Sequence, residues 1–193
     1  HVVVPLRRVL KHVRILNGKV TEVHHARRAV TFQPNAGPAE ELSYDILVMA
    51  AGSVSRTLPI PGLAEEGIGF KTIGEAIALR DHVLAQLDIA ESTDDPEVRR
   101  RALTFVFVGA GFAGVEALAE IEDMTKDAIR YYPRISPEEL RFVMIEATDR
   151  VLPEVGPEMG RWTLGALRER GIEFKLNTRL ESCVDRVIRT SDG

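Results

Sequence analysis

The sequence predicts an α/β fold: a Rossmann-like parallel sheet with helices on both faces, accompanied by a small antiparallel β-meander. Three observations carry that prediction. Thr104-Phe-Val-Phe-Val108 is an unbroken apolar and β-branched run, the pattern of a strand buried on both faces in the middle of a parallel sheet. Gly109, Gly111 and Gly114 follow at G-x-G-x-x-G spacing and open a segment rich in alanine, leucine and glutamate, which are strong helix formers. A second apolar run, Arg141-Phe-Val-Met-Ile-Glu146, ends on an acid.

Each glycine has its own task in such a turn. Gly109 permits the tight strand-to-helix turn, Gly111 lets a pyrophosphate approach the backbone without meeting a Cβ, and Gly114 lets the helix pack close to the strand. The N–H groups of Phe112, Ala113 and Gly114 then point at the anion, and Ala110 completes the nucleotide-binding set. Glycines in a tight turn can also be only structural; the strand before and the helix after supply the context that dinucleotide binding requires.

Glu146 stands where a carboxylate accepts both ribose hydroxyls of the adenosine and repels a 2′-phosphate, which predicts NAD(H) over NADP(H). It lies 32 residues after Gly114, against roughly 20 from motif to acid as a rule. Asp127 to Glu139 accounts for the difference, with Tyr131 to Pro137 read as a helix end and inserted loop. Arg150 blunts the exclusion of NADP(H), since an arginine there can hold a 2′-phosphate. The alternative for Glu146 is a strand-end carboxylate facing water.

With 193 residues and 45% hydrophobic content, the chain can bury a sizeable core in one or two small domains. Its 29 acidic and 25 basic residues give a net charge of −4, which excludes the electrostatic footprint of a nucleic-acid binder. Arg99-Arg100-Arg101, after Asp94-Asp95-Pro96, reads as a solvated linker before the central strand. The single cysteine, Cys183, excludes an internal disulfide or a cysteine metal cluster, fits a reducing cytoplasm and reads as a packed hydrophobe rather than a nucleophile. The five histidines show no metal-ligand spacing. No stretch reaches the roughly 18 apolar residues of a membrane helix, and no signal peptide is visible. An opening on His1 and an end within a strand-like pattern at Gly193 suggest an internal piece of a longer protein.

In chain order, Pro5 to His12 reads as a short helix and Val13 to Leu16 as a strand ending at a hairpin-type turn, Asn17-Gly18. Lys19 to Val23 and Ala29 to Phe32 are strands of the meander, with His24 to Arg28 between them, and Gln33 to Glu40 is a loop. Tyr44 to Ala50 is a buried strand running into Ala51-Gly52-Ser53, whose small side chains leave room for a ligand at a strand's carboxyl end; a turn that binds nothing is the alternative. Leu58 to Gly62 is a stiff connector. Ile73 to Glu91, with Ile73, Ile77, Leu84 and Leu87 at helical spacing, is an amphipathic helix linking two units. Beyond the central β-α-β unit, a helix from Glu158 to Arg170 stops at Gly171, Ile172 to Leu176 is a third parallel strand, and Leu180 to Arg189 begins a second meander. Trp162 is expected to pack in the core.

These motifs together resemble a known family. Tyr44-Asp-Ile-Leu-Val-Met-Ala-Ala-Gly-Ser53, Pro59-Ile-Pro-Gly62, the long helix, Gly109-Ala-Gly-Phe-Ala-Gly-Val-Glu116 and Glu146-Ala-Thr-Asp-Arg-Val-Leu-Pro153 are similar, in that order, to the two-dinucleotide flavoprotein reductases. Thr72 to Arg80 and the Tyr131 to Glu139 insertion make the type II (single-subunit, non-pumping) NADH dehydrogenases the nearest subgroup. The resemblance implies a truncated fold: residues 1–70 from the back half of an FAD-binding domain, 71–103 a linking helix, and 104–193 the front of an NADH-binding domain. It implies that backbone near Val20 meets the FAD adenine, and that Ala51, Gly52 and Ser53 pass close to the flavin nucleotide, with Ala51 where the family usually has threonine. Glu116 matches a glutamate directed toward nicotinamide and flavin, although an acid in a helix's first turn is also stabilised by the macrodipole alone.

The activity so implied moves a hydride from NADH to FAD and electrons on to a quinone, in the cytoplasm and peripherally at the inner face of the plasma membrane through segments absent here. The chain itself is expected to be inactive while retaining NADH binding. Two other readings stay open: a non-catalytic NAD(H)-sensing module, and a piece of a disulfide or ferredoxin-type NAD(P)H reductase. Because both orphan sheet edges would otherwise be exposed, Tyr44 to Ala50 is expected to dock beside the Thr104 strand, within one chain or swapped between two in a homodimer.

Overall fold

A computed structural model describes residues 4–52 and 58–192. The chain divides into two compact units, His1–Gly52 and Ser53–Gly193.

The first unit holds a short helix α1 (Leu6–Val9) and an antiparallel meander of β1 (Gly18–His24), β2 (Ala29–Pro34) and β3 (Glu40–Ser43), in that order. The hairpin between β1 and β2 is a 3-10 turn, His25–Arg27, closed by Arg28 in the left-handed region at φ 50°. Ala29, Val30 and Phe32 on β2 are buried. Gly18 is a strand residue opposite Pro34 rather than a hairpin turn, and its missing side chain makes room for the Phe32 ring. Val13 to Leu16 forms no strand. Residues 40–43 do: Glu40-Glu41-Leu42-Ser43 carries one apolar residue and so gives no alternation to read, but Leu42 pairs with Val30 and Glu41 accepts from Arg27.

The expectation for Tyr44 to Ala50 is corrected. The segment is not a strand, and Ile46, Val48 and Met49 are 84, 79 and 70% exposed. An apolar composition is not sufficient for a parallel strand, whose N–H and C=O groups need a neighbouring ladder. Among the described residues, only its first residue is tied down by a backbone bond to another element, Tyr44 N–H donating to the Arg28 carbonyl at 2.8 Å, and none of the sheets includes the segment.

The second unit contains α2 (Leu63–Glu66), α3 (Ile73–Ser92), α4 (Pro96–Ala102), β4 (Thr104–Val108), α5 (Phe112–Ala128), β5 (Arg141–Ile145), α6 (Pro157–Glu169), β6 (Glu173–Lys175), β7 (Leu180–Ser182) and β8 (Arg189–Thr190). β4, β5 and β6 make a parallel sheet in that order, with Phe105 beside Phe142 and Val143 beside Glu173; β7 and β8 pair antiparallel. The central strand is therefore β5, buried from Phe142 to Ile145, and not β4, which lies at an edge with Val108 exposed. Both runs are equally apolar, so periodicity could not rank them.

The core of this unit gathers Val83 from α3, Leu118 from α5 and Leu167 from α6 around Phe105, Phe107, Phe142 and Met144. The Phe105 and Phe142 rings stack with centroids 5.4 Å apart. α3 begins with a Thr72/Glu75 capping box, which satisfies donors at both ends of the first turn. It buries Val83, Leu87 and Ala90, whereas Ile73 and Ile77 stay exposed.

The arginine run is a helix and not a linker. Asp95 caps α4 by accepting from the N–H groups of Glu97 and Val98, Pro96 takes the first turn, and Arg99 donates to Glu139 and to the carbonyls of Ala90 and Arg134. Trp162 is likewise not core: it is 70% exposed, because α6 buries the Gly160 and Leu167 face and Trp162 falls off that stripe. No helix among the described residues is long and apolar enough to cross a membrane.

Candidate functional site

The β4–α5 turn has the geometry that its glycines foretold. Gly109 sits at φ +97°, a conformation that a residue with a Cβ reaches only under strain. Its N–H donates to the Ile145 carbonyl at 2.9 Å, tying the turn to β5. A Cβ on Gly114 would overlap the Gly109 carbonyl oxygen, so the helix can meet the turn only through a glycine. Gly111 is the N-cap of α5 and has no side chain to cap with. The helical bonding begins with Val115 N–H on the Gly111 carbonyl at 3.0 Å, which leaves the N–H groups of Phe112, Ala113 and Gly114 as first-turn donors without helical acceptors. With the positive end of the α5 dipole behind them, these donors form an anion-binding arrangement.

Glu146 is built into the same site. It is buried at 8% exposure, and its carboxylate accepts from Ala110 N–H and from Thr148 N–H, each at 2.7 Å. Burial pushes its carboxyl upward, but the donors Ala110, Thr148 and Ala147 outweigh it and hold the group below the usual carboxylate range. The water-facing alternative is thus replaced by an ionised, oriented acid. The backbone around it is fixed too: Glu146 N–H donates to Lys175 O and its carbonyl accepts from Thr178 N–H, both at 2.9 Å.

Ala110 has no exposed surface and links three parts of the site. Its N–H reaches Glu146, and its carbonyl accepts from Leu152 N–H at 2.7 Å. Leu152, at φ 50°, was not foreseen, because a left-handed leucine leaves no mark in composition. Arg150, in the same loop, donates to the Pro153 carbonyl at 3.2 Å and is exposed. The turn from Gly109 to Gly114, Glu146 and the Arg150 loop are therefore joined by direct hydrogen bonds. Glu116 stands exposed on α5 beyond this group.

A dinucleotide fits this group on two observations: Gly111 presents a bare α-carbon at the helix start, and a charged acceptor is held at the neighbouring strand end. Of the residues expected near a flavin, Val20, Ala51 and Gly52 belong to the first unit. Val20 pairs with Phe32 on β1, Gly52 is at φ +71°, and Val20, Ala51 and Gly52 are all exposed. Ser53 lies outside the described residues. Cys183 is buried, its N–H donates to Pro61 O at 2.9 Å, and burial pushes its thiol pKa up, as suits a packed side chain.

Comparison with known proteins agrees with this geometry. The family model for pyridine nucleotide-disulphide oxidoreductases matches residues 5–191. The chain is 32% identical over 196 residues to the type II NADH:quinone oxidoreductase of Mycobacterium tuberculosis, covering 98% of this chain and 42% of that protein. It is 29% identical over 195 residues to the external alternative NADH-ubiquinone oxidoreductase of Yarrowia lipolytica mitochondria, covering 96% and 34%. The solved structure of NDH2 from Plasmodium falciparum in complex with NADH matches with a TM-score of 0.70 at 23% identity, over 91% of this chain and 36% of that one, which shows a shared fold. The chain thus spans less than half the length of these relatives. With a glycine turn, an oriented acid and a family match over nearly its whole length, the chain belongs to the pyridine nucleotide-disulphide oxidoreductases.

Proposed function

We propose that this chain carries the NADH-binding site of a flavoprotein oxidoreductase that moves a hydride from NADH to FAD and passes electrons on to a quinone. The observation that carries the reading is the hydrogen bond from Ala110 N–H to the buried Glu146 carboxylate, which sets the ribose-reading acid at a fixed distance from the phosphate-binding turn. Bound NADH supplies the hydride. The chain's own residues position it: the N–H groups of Phe112, Ala113 and Gly114 take the pyrophosphate, and Glu146 takes the adenosine ribose hydroxyls. Held at both points, the dinucleotide loses its freedom before any reaction, which is the protein's main contribution to such chemistry.

The family resemblance assigns Glu116 to the nicotinamide side and Val20, Ala51, Gly52 and Ser53 to the flavin nucleotide, while Arg150 stands in the loop after Glu146. The quinone as acceptor is supported by the relatives, which are described as NADH:quinone oxidoreductases; attachment at a membrane surface rests on the family resemblance alone. Backbone amide NMR of the chain with added NADH tests the site directly. Shifts centred on Gly109 to Gly114 and on Glu146 are expected; shifts centred elsewhere, with these amides unmoved, contradict it.

A further inference from the structure

The loop that follows Glu146 brings a second carboxylate to the glycine turn. Leu152-Pro153-Glu154-Val155 is a β-turn closed by Val155 N–H on the Leu152 carbonyl at 3.1 Å, with proline at the position whose φ it presets. Leu152 N–H is bonded to Ala110 O at 2.7 Å, and Arg150 donates to Pro153 O at 3.2 Å. Val151 has no exposed surface, and its carbonyl faces Gly160 so closely that a Cβ there would stand at 2.6 Å. The backbone carrying Glu154 is therefore fastened to the turn and to α6.

From this base the exposed Glu154 side chain overhangs Gly111. Its Oε1 lies 3.0 Å, and its Oε2 3.9 Å, from where a Cβ of Gly111 would stand. That is the space in which an incoming pyrophosphate approaches the start of α5. The helix dipole favours an anion there, but two anions cannot share the space without repulsion. We propose that Glu154 is an affinity-limiting residue of the nucleotide site: its carboxylate covers the helix start when no nucleotide is bound, gives way to the pyrophosphate, and by like-charge repulsion hastens release. This rests on the NADH reading above.

The test compares the unsubstituted chain, Glu154→Gln, and Glu169→Gln as a charge-matched control in the last turn of α6, each titrated with NADH and with adenosine. Glu154→Gln is expected to bind NADH about fivefold tighter at low ionic strength, with most of the gain lost near 1 M salt, and to release it more slowly in stopped flow. Adenosine, which lacks the pyrophosphate, should bind all three proteins equally, and Glu169→Gln should match the unsubstituted chain. Unchanged or weaker NADH binding by Glu154→Gln, or an equal gain in Glu169→Gln, overturns the role of Glu154 while leaving the NADH site standing. Absence of NADH binding by the unsubstituted chain and both variants overturns the NADH reading and this role together.

Discussion

Gly114 has no room for even one carbon, since a Cβ there would overlap the Gly109 carbonyl oxygen and that atom is backbone. Gly114→Ala is therefore expected to lower stability by about 2–3 kcal/mol, the cost of overpacking, and chemical denaturation will measure it. Glu139 illustrates a charge effect at the same scale. Arg99 first, then the Ser136 N–H, lower its carboxyl to about 2. A depressed carboxylate stabilises the fold fully above its ordinary pKa near 4.5 and loses that contribution as pH falls through about 2. Because the group is partly exposed, solvent screening reduces the contribution to about 1 kcal/mol. Glu139→Gln should show that deficit at pH 7, shrinking steadily as both proteins are unfolded at lower pH; a deficit independent of pH would contradict it. Trp162, at 70% exposure, should emit like indole in water and be quenched by iodide. The glycines were readable in the sequence because their spacing encodes backbone geometry. Trp162 was not, because one aromatic on an amphipathic helix says nothing about which stripe the fold buries.

Elements show where periodicity suffices and where pairing decides. α3 and α5 were legible from helix formers and apolar spacing, but the buried face of α3 is set by Val83, Leu87 and Ala90, at the end that meets the rest of the core. Leu87 has no exposed surface, so Leu87→Ala should cost about 2–5 kcal/mol, whereas Ile77→Ala on the exposed half should cost well under 1 kcal/mol. Comparing the two variants' denaturation midpoints checks the burial pattern. α4 was hidden because three arginines suggest a solvated segment, yet Asp95 and Pro96 are a helix start in their own right. Asp95→Ala should remove about 1 kcal/mol. The order β4-β5-β6 and the loss of Tyr44 to Ala50 from any strand follow from which ladders are present. Neighbours of that kind are not written in a local run of apolar residues.

At the scale of the molecule, the chain is two compact units, and the nucleotide reading concerns the second. There the glycine turn and the acid were both legible, since each depends on a local motif at the end of a strand. Their direct link through Ala110, the left-handed Leu152 and the overhanging Glu154 were not, because they arise from a loop folding back on the turn. On the nucleotide reading, these parts together recognise an unphosphorylated adenosine ribose beside a pyrophosphate. Calorimetric titration of the chain with NADH and separately with NADPH tests this most directly. Clearly tighter binding of NADH is the predicted result, since Glu146 is ionised and repels a 2′-phosphate. Equal binding of the two, or no binding of either by folded protein, would contradict it.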